Sequence, residues 1–348
     1  MINRNDSILV FEYFTASGEK DKCIISEAES LIFSLLNDLS EFNVDLVINK
    51  DYKDIVNSYN NVNPILIDED VIDWLEVNAS DFNNAIFIAA ENNNNLYRIT
   101  RILEDNEVNI YNSSSEACFK SSDKYETYCE LLNIVPQPKS FKYIVDNDWK
   151  TIIYDLFDKW ESKLIVKPLS GVDCENILVF ENIDDYDMIN SFPIGSEVLI
   201  QEFIDGEDVS VSLITDGKNI YPISLNKQFI DIKEDRAGYI GGKLPYKHKS
   251  KKEAFDVAVK AIKSINGMKG FVGVDLLISR KDSSVYLLEI NSRFTTPYVG
   301  LTKVSNINIV ETIIKLVDGK TKIDDVDISL DGEVEFKKVK NSLEIRRL

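Results

Sequence analysis

Residues 271 to 291 constrain this chain more than any other stretch. Phe271-Val-Gly-Val-Asp-Leu-Leu-Ile-Ser279 and Val285-Tyr-Leu-Leu-Glu-Ile-Asn291 are apolar runs joined by the polar turn Lys281-Asp-Ser-Ser284, which predicts an antiparallel hairpin. A hairpin centred on Asp282 sets Asp275 opposite Glu289, with Asn291 next on the same face. Val272, Val274, Leu276, Ile278 and Tyr286, Leu288, Ile290 then fall on the other face, so the hairpin should be anchored in a core. Directly opposed carboxylates about 5 Å apart repel, and a cation or solvent would relieve them. Hard oxygen ligands of this kind suit Mg2+ bridging nucleotide phosphates. A solvated face of an antiparallel sheet would carry the same residues.

Three further segments can be read in the light of that pair. Leu164-Ile-Val-Lys-Pro-Leu-Ser-Gly171 is a short buried strand that delivers Lys167 to a turn, because the proline cannot continue the ladder. A lysine there can reach a phosphate, though Lys-Pro at a strand end is ordinarily a solvated turn. Val198-Leu-Ile-Gln-Glu-Phe-Ile-Asp-Gly-Glu-Asp208 is an apolar strand running into a glycine turn and acids. Backbone groups of Gln201, Glu202, Phe203 and Ile204 could read an adenine edge and Asp208 could accept from ribose hydroxyls; the plain alternative is an ordinary hairpin. Ser121-Ser-Asp-Lys-Tyr125 opens a helix at Lys124, with amide donors that suit an anion unless Ser122 or Asp123 caps them.

The rest of the chain supplies context. Ile8–Phe14 is an apolar strand, Ile24–Leu39 has helical periodicity, and Val44–Ile48 and Ala85–Ala90 are further strands, which predicts an N-terminal α/β unit with a parallel sheet. Tyr111–Ala117 reads as a Ser-rich loop. Helices near Lys124–Leu132 and ending near Trp160 follow, then strands dominate from Leu164, with a Lys-rich amphipathic helix at Lys252–Ile265 and a turn at Asp216-Gly217. The stretch past Gly319 is charged and weakly patterned. The 348 residues hold 39 Lys and Arg against 59 Asp and Glu, a formal charge of −20, which repels nucleic acid and anionic membranes. With one histidine, His248, no site can need several imidazoles; it should be a surface residue. Cys23, Cys118, Cys129 and Cys174 show no CxxC spacing and read as reduced thiols. Asn3-Arg-Asn-Asp6 is unlike a signal peptide and no apolar run is long enough to span a bilayer, so the expected location is cytoplasmic.

In this order and spacing, the Lys124 helix with Asn133-Ile-Val-Pro-Gln-Pro138, the Lys167-Pro strand, the Gln201–Asp208 hinge, Gly273-Val-Asp275 and Glu289-Ile-Asn-Ser-Arg293 resemble the ATP-grasp superfamily of carboxylate–amine ligases. The resemblance implies an α/β and α+β chain: an N-terminal Rossmann-like α/β domain at 1–115, a small ATP-grasp subdomain at 116–195, and a C-terminal subdomain with the metal hairpin at 196–348. It implies ATP, with Mg2+ or alternatively Mn2+, and small-molecule carboxylate and amine substrates, with oligomeric state open. Lys124 and Lys167 would then hold phosphates, Gln201–Ile204 the adenine, Asp208 the ribose, and Asp275, Glu289 and Asn291 the metal. Arg293 would face the transferred phosphate. Two departures stand out. The lid after Lys167 has one glycine, Gly171, beside Asp173 and Glu175, and Gly273 stands where many relatives place an arginine, so that Arg293 or Lys227 must supply the charge. Leu9-Val-Phe-Glu-Tyr-Phe-Thr15, Ile88-Ala-Ala-Glu91, Ser210-Val-Ser212 and Asn291–Leu301 are most similar to the tyramine–glutamate ligases of methanofuran biosynthesis. On that likeness Glu12 would pair with a substrate ammonium or else cap a helix, Arg236 would meet carboxylates, and Tyr239-Ile-Gly-Gly-Lys-Leu-Pro245 would be a loop closing on substrate. Tyr13, Phe14, Phe229 and Tyr239 are candidate aromatic walls.

Overall fold

The computed structural model describes residues 6–169, 177–181, 191–233, 236–340 and 342–348. The chain opens with a parallel sheet of strands β1 (Ser7–Glu12), β2 (Asn43–Asn49), β3 (Val62–Ile67), β4 (Asn84–Ile88) and β5 (Asn109–Ile110), ordered β3-β2-β1-β4-β5. Helices α1 (Tyr13–Ser17), α2 (Lys22–Asp38), α3 (Val71–Asn78) and α4 (Asn95–Asp105) connect them. Strand order reverses between β1 and β4, so the carboxyl ends of these two strands open a crevice of the kind that takes ligands. The expected strand through Phe14 ends at Glu12 instead. Its carboxylate accepts from Phe14 N at 3.1 Å and Thr15 N at 2.8 Å, and this cap starts α1.

A second sheet follows, antiparallel at every pairing among the described residues. Its elements are α5 (Ser115–Ser122), α6 (Lys124–Glu130), β6 (Ser140–Ile144), α7 (Trp149–Trp160), β7 (Leu164–Pro168), β8 (Ile177–Phe180), β9 (Glu197–Glu202), β10 (Gly206–Thr215), β11 (Ile220–Lys233), β12 (Arg236–Leu244), α8 (Lys251–Ser264), β13 (Gly270–Ser279), β14 (Val285–Asn291), α9 (Pro297–Val304), α10 (Ile309–Val317), β15 (Val334–Val339) and β16 (Ser342–Arg347). The order is β14-β13-β10-β11-β12-β8-β7-β9-β6, with β15 on β12 and β16 on β15. Apolar residues of β10, β13 and β14 pack on α8, whose Ala254, Val257, Ala258, Ala261 and Ile262 are buried. Leu164 and Val166 of β7 pack on α7.

Three expectations need correcting, and one stretch left open by its pattern takes a definite form. The Ser-rich loop is shorter than read, since Ser114 caps α5 and the helix begins at Ser115. The segment Tyr239–Pro245 is no free loop: up to Leu244 it is β12, laddered to β11 and β15. Its glycines serve close approach, because at Gly241, φ +139°, a Cβ would overlap the Phe336 carbonyl oxygen. The weakly patterned tail forms the β15–β16 hairpin, with Val334 and Phe336 buried. His248 is half-buried rather than on the surface, and its Nδ1 accepts from Ser250 N at 3.0 Å. Cys118 and Cys129 are free thiols, and Cys23 Sγ donates to Lys340 O at 3.0 Å; Cys174, like Gly171, Asp173 and Glu175, lies outside the described residues.

Candidate active site

The floor of the site is the β13–β14 hairpin. Asp275 pairs with Glu289 and Gly273 with Asn291, whereas nearer the turn Leu276 pairs with Leu287 and Ile278 with Val285, so one extra residue bulges on β14. The bulge corrects the alternation expected from sequence. Val285 and Leu287 face the core, and Leu288 turns with Glu289 into the cleft while Tyr286 is half-buried on the same side. The cleft above has a volume of about 430 Å³.

The two acids are not left to repel. Glu289 Oε2 lies 3.2 Å from Lys124 Nζ. Burial would raise its pKa, but Lys124 and then Lys167 outweigh that and pull it down to about 2. Asp275 moves the other way: burial, then the Glu289 charge, then a hydrogen bond shared with Glu289 hold it well above its ordinary value. Gln228 Nε2 donates to Asp275 Oδ1 at 2.9 Å and Asn291 Nδ2 to Oδ2 at 3.1 Å. Lys124 and Lys167 beside Glu289, and the upward shift of Asp275, therefore relieve the repulsion that only a cation or solvent was expected to relieve. Two adjacent carboxylates, one of them shifted toward its neutral form, with an amide oxygen beside them, fit a divalent cation, whose charge would favour both ionised forms. Among the described residues no group of three or more His, Cys, Asp or Glu side chains could form a metal cage. Such a cation would complete its shell with phosphate oxygens and water, as Mg2+ does.

Beside the acids, Lys167 is buried and its Nζ donates to Gln201 Oε1 at 3.2 Å, while Gln201 Nε2 donates to Ser140 Oγ at 2.9 Å. Glu202, Phe203, Ile204 and Asp208 line the same cleft. The amides of Glu202 and Phe203 already donate to Lys139 O and Lys163 O at 2.9 and 2.8 Å, which leaves the Ile204 amide as the hinge donor without a partner among the described residues. Burial raises the Asp208 carboxyl above its ordinary value. The amides at the start of α6 are not available to an anion either, since Asp123 Oδ1 accepts from Tyr125 N and Glu126 N; Lys124 contributes its side chain instead.

Arg293 lines the cleft, and its Nε donates to Glu91 Oε2 at 2.7 Å. Glu91 follows β4 in the first sheet, so this ion pair joins the two sheets; nothing local to either segment announced it. Gly273 is explained by the same loop. A Cβ there would lie 2.9 Å from Thr295 Cγ2, so a larger residue would have to displace the Thr295 side chain, two residues beyond Arg293. Lys227 is a correction. It pairs with Glu207 at 2.8 Å and stands over the Tyr246 ring, because strand alternation sends Gln228 to the acids and Lys227 to the opposite face. Tyr239 lines the cleft. Arg236 begins β12, and its side chain lies outside the described ones.

Glu12 is the second correction. Both its oxygens are spent on the α1 cap and it is not among the cleft-lining residues. Burial pushes its pKa up to about 7 against the hydrogen bonds from Thr15 and Phe14. A folded-state pKa above the unfolded one means that folding favours the protonated acid, so stability falls as pH rises from about 4.5 to 7, by at most about 3 kcal/mol. Glu12→Gln should flatten this part of the curve, and its stability relative to wild type should rise across that window. Melting curves at several pH values would show it, and parallel wild-type and variant profiles would refute it.

Residues 121–297 match the ATP-grasp domain family, about half of the chain. The chain belongs to the ATP-grasp family. Over 301 residues it is 36% identical to a tyramine–L-glutamate ligase of Methanocaldococcus fervens, covering 84% of this chain and 89% of that protein. The corresponding ligase of Methanocaldococcus jannaschii is 35% identical over 315 residues, 88% of each chain. An ATP-grasp superfamily protein from Archaeoglobus fulgidus superposes with a TM-score of 0.72 at 22% identity, over 99% of this chain and 100% of that one. The ATP-grasp fold is an ATP-binding one, and in this member the cleft between its strands holds the paired acids and both lysines. Among the described residues no helix is long and apolar enough to cross a membrane.

Proposed function

We propose that this ATP-grasp chain is an ADP-forming carboxylate–amine ligase that joins the γ-carboxylate of glutamate to the amine of tyramine, a cytoplasmic step of methanofuran assembly. The observation that carries this reading is the extent of the match: the tyramine–L-glutamate ligases align with 84% and 88% of the chain, well beyond the nucleotide-binding residues 121–297.

In the reaction, a carboxylate oxygen attacks the γ-phosphorus of ATP and the bond to ADP breaks. The amine then attacks the acyl carbon, phosphate leaves, and the amine proton passes to a cleft carboxylate or water. Phosphoryl transfer needs positioning and charge neutralisation rather than a covalent nucleophile. Lys124 and Lys167 take that part, held in place by Glu289 and Gln201. The Gln201–Ile204 segment holds the adenine and Asp208 the ribose. Asp275, Glu289 and Asn291 would hold Mg2+ or Mn2+, which supplies charge neutralisation for the polyphosphate. Arg293, fixed by Glu91, faces the transferred phosphate.

The test is ADP release over a matrix of carboxylates and amines. Only glutamate with tyramine should give full turnover, with the γ-glutamyl amide found by mass spectrometry. Phenethylamine should lower kcat/KM, because a site that hydrogen-bonds the phenol leaves a polar group unpaired without it. Activity with an amino acid acceptor and silence with tyramine would overturn the substrate assignment and leave the ligase chemistry standing.

A further inference from the structure

Glu27, on α2, lines the cleft although nothing in its sequence context marks it, and among the lining residues it alone comes from the first 120 residues. Its Oε2 lies 2.8 Å from Lys338 Nζ, and its Oε1 accepts from the hydroxyl of Thr296, three residues beyond Arg293. Lys338 belongs to β15, in the C-terminal hairpin, and is not itself a cleft-lining residue; it meets the cleft through Glu27. Its ammonium also stands 5.4 Å from the centre of the Tyr239 ring, itself a lining residue. The lysine head group is therefore held between a carboxylate and an aromatic face. That pairing recognises a primary alkylammonium through a charge-assisted hydrogen bond on one side and the ring quadrupole on the other. Ile230 and Pro297 extend an apolar wall beside it.

We propose that Glu27 and Tyr239 form the ammonium subsite of the acceptor amine, and that Lys338 occupies this subsite in the free protein and yields it to the substrate. The inference rests on the ligase reading for the role of the amine, but the binding chemistry comes from the geometry alone. Lys338 presents the same group as an arylethylamine in water near neutral pH: a primary ammonium on a flexible carbon chain. Glutamate, with two carboxylates, is the poorer fit beside Glu27, whereas an amine with an aromatic body can lay its ring along Tyr239, Ile230 and Pro297. Substrate and Lys338 thus compete for one carboxylate. The β15–β16 hairpin packs on α2 through Leu343 N to Ser26 Oγ and Cys23 Sγ to Lys340 O, so release of Lys338 does not require the hairpin to leave.

Calorimetry with tyramine and with its neutral analogue tyrosol, on wild type, Glu27→Gln and Lys338→Met, with and without a non-hydrolysable ATP analogue, Mg2+ and glutamate, tests this without turnover. Removing a charged hydrogen-bond partner should weaken tyramine binding by roughly 10-fold or more and leave tyrosol within about twofold. Lys338→Met, which keeps the stem and removes the competitor, should tighten tyramine binding. In steady-state assays the Glu27→Gln change should fall on the KM for tyramine and not on that for ATP or glutamate. Unchanged tyramine affinity in Glu27→Gln, an equal loss for tyrosol, or a rise confined to the glutamate KM would overturn the subsite. Lys338→Met binding tyramine no more tightly than wild type would overturn its role as occupant. A wild type that binds tyramine through Glu27 but releases no ADP would instead refute the ligase reading.

Discussion

Asp275→Asn should lower turnover by on the order of 10³-fold while the ligand-free protein melts at or above the wild-type temperature. Glu289→Gln should lose as much activity and also melt lower. The asymmetry follows from the opposite shifts of the pair. Burial and the neighbouring charge hold Asp275 well above its ordinary value, so its ionised form opposes folding. The neutral amide removes that cost; its one oxygen can still accept from Gln228 or from Asn291, and the loss of the other hydrogen bond is smaller than the cost of the buried charge. Glu289, against its burial, is pulled down to about 2 by Lys124 and Lys167. A depressed acid contributes stability that is present above its unfolded pKa near 4.5 and is lost as pH falls through about 2. Glu289→Gln loses this contribution at neutral pH and leaves two cleft lysines without their counter-charge. Thermal melts of both variants, together with ADP release in the presence of Mg2+, check the prediction. An Asp275→Asn protein that melts early while its folded fraction turns over normally would rule out the metal-site reading.

The second large effect concerns nucleotide. ATP with Mg2+ at about 100 times its dissociation constant should stabilise the wild type by roughly 2.7 kcal/mol through mass action. Lys167→Ala removes a buried cation that sits between Gln201 and the paired acids, and a loss of about tenfold in affinity would cut the shift at the same ligand concentration to about 1.4 kcal/mol. Lys124→Ala should act similarly, since Lys124 holds the other side of Glu289. Melting shifts against ATP concentration give the measurement. If both variants respond to nucleotide as the wild type does, the lysines serve only to balance Glu289.

Sequence legibility tracks how local each feature is. The hairpin itself could be read from its two apolar runs and polar turn, where Asp282 accepts from Ser284 N at 3.0 Å, but the register beside the turn is one residue off the expected centre and the facing of Asp275 and Glu289 is restored by the β14 bulge. Strands such as Ile177–Phe180 and Val285–Asn291 have their expected limits because they are short apolar runs bounded by polar residues. Lys227 and Glu12 were misread for a shared reason. Each is a charged residue in a plausible position, but its direction depends on alternation along β11 and on a cap formed inside α1. Strand β12 escaped notice because Gly241 and Gly242 look like a turn until Phe336 is packed against them.

By itself, then, the sequence determined the local frame: an apolar hairpin with two acids, a strand delivering Lys167, an acidic hinge, and an order of these segments that one family shares. Local pattern can do this because strand period, turn chemistry and capping act within a few residues. The tertiary structure alone decided which charges meet. Lys124 meets Glu289, Glu91 meets Arg293 and Glu27 meets Lys338 across separations of more than 150 residues, and the β14 bulge selects the face that Leu288 shares with Glu289. Such contacts are set by how the two sheets and the C-terminal hairpin pack together, and a buried carboxylate takes its protonation state from whichever cation that packing brings beside it.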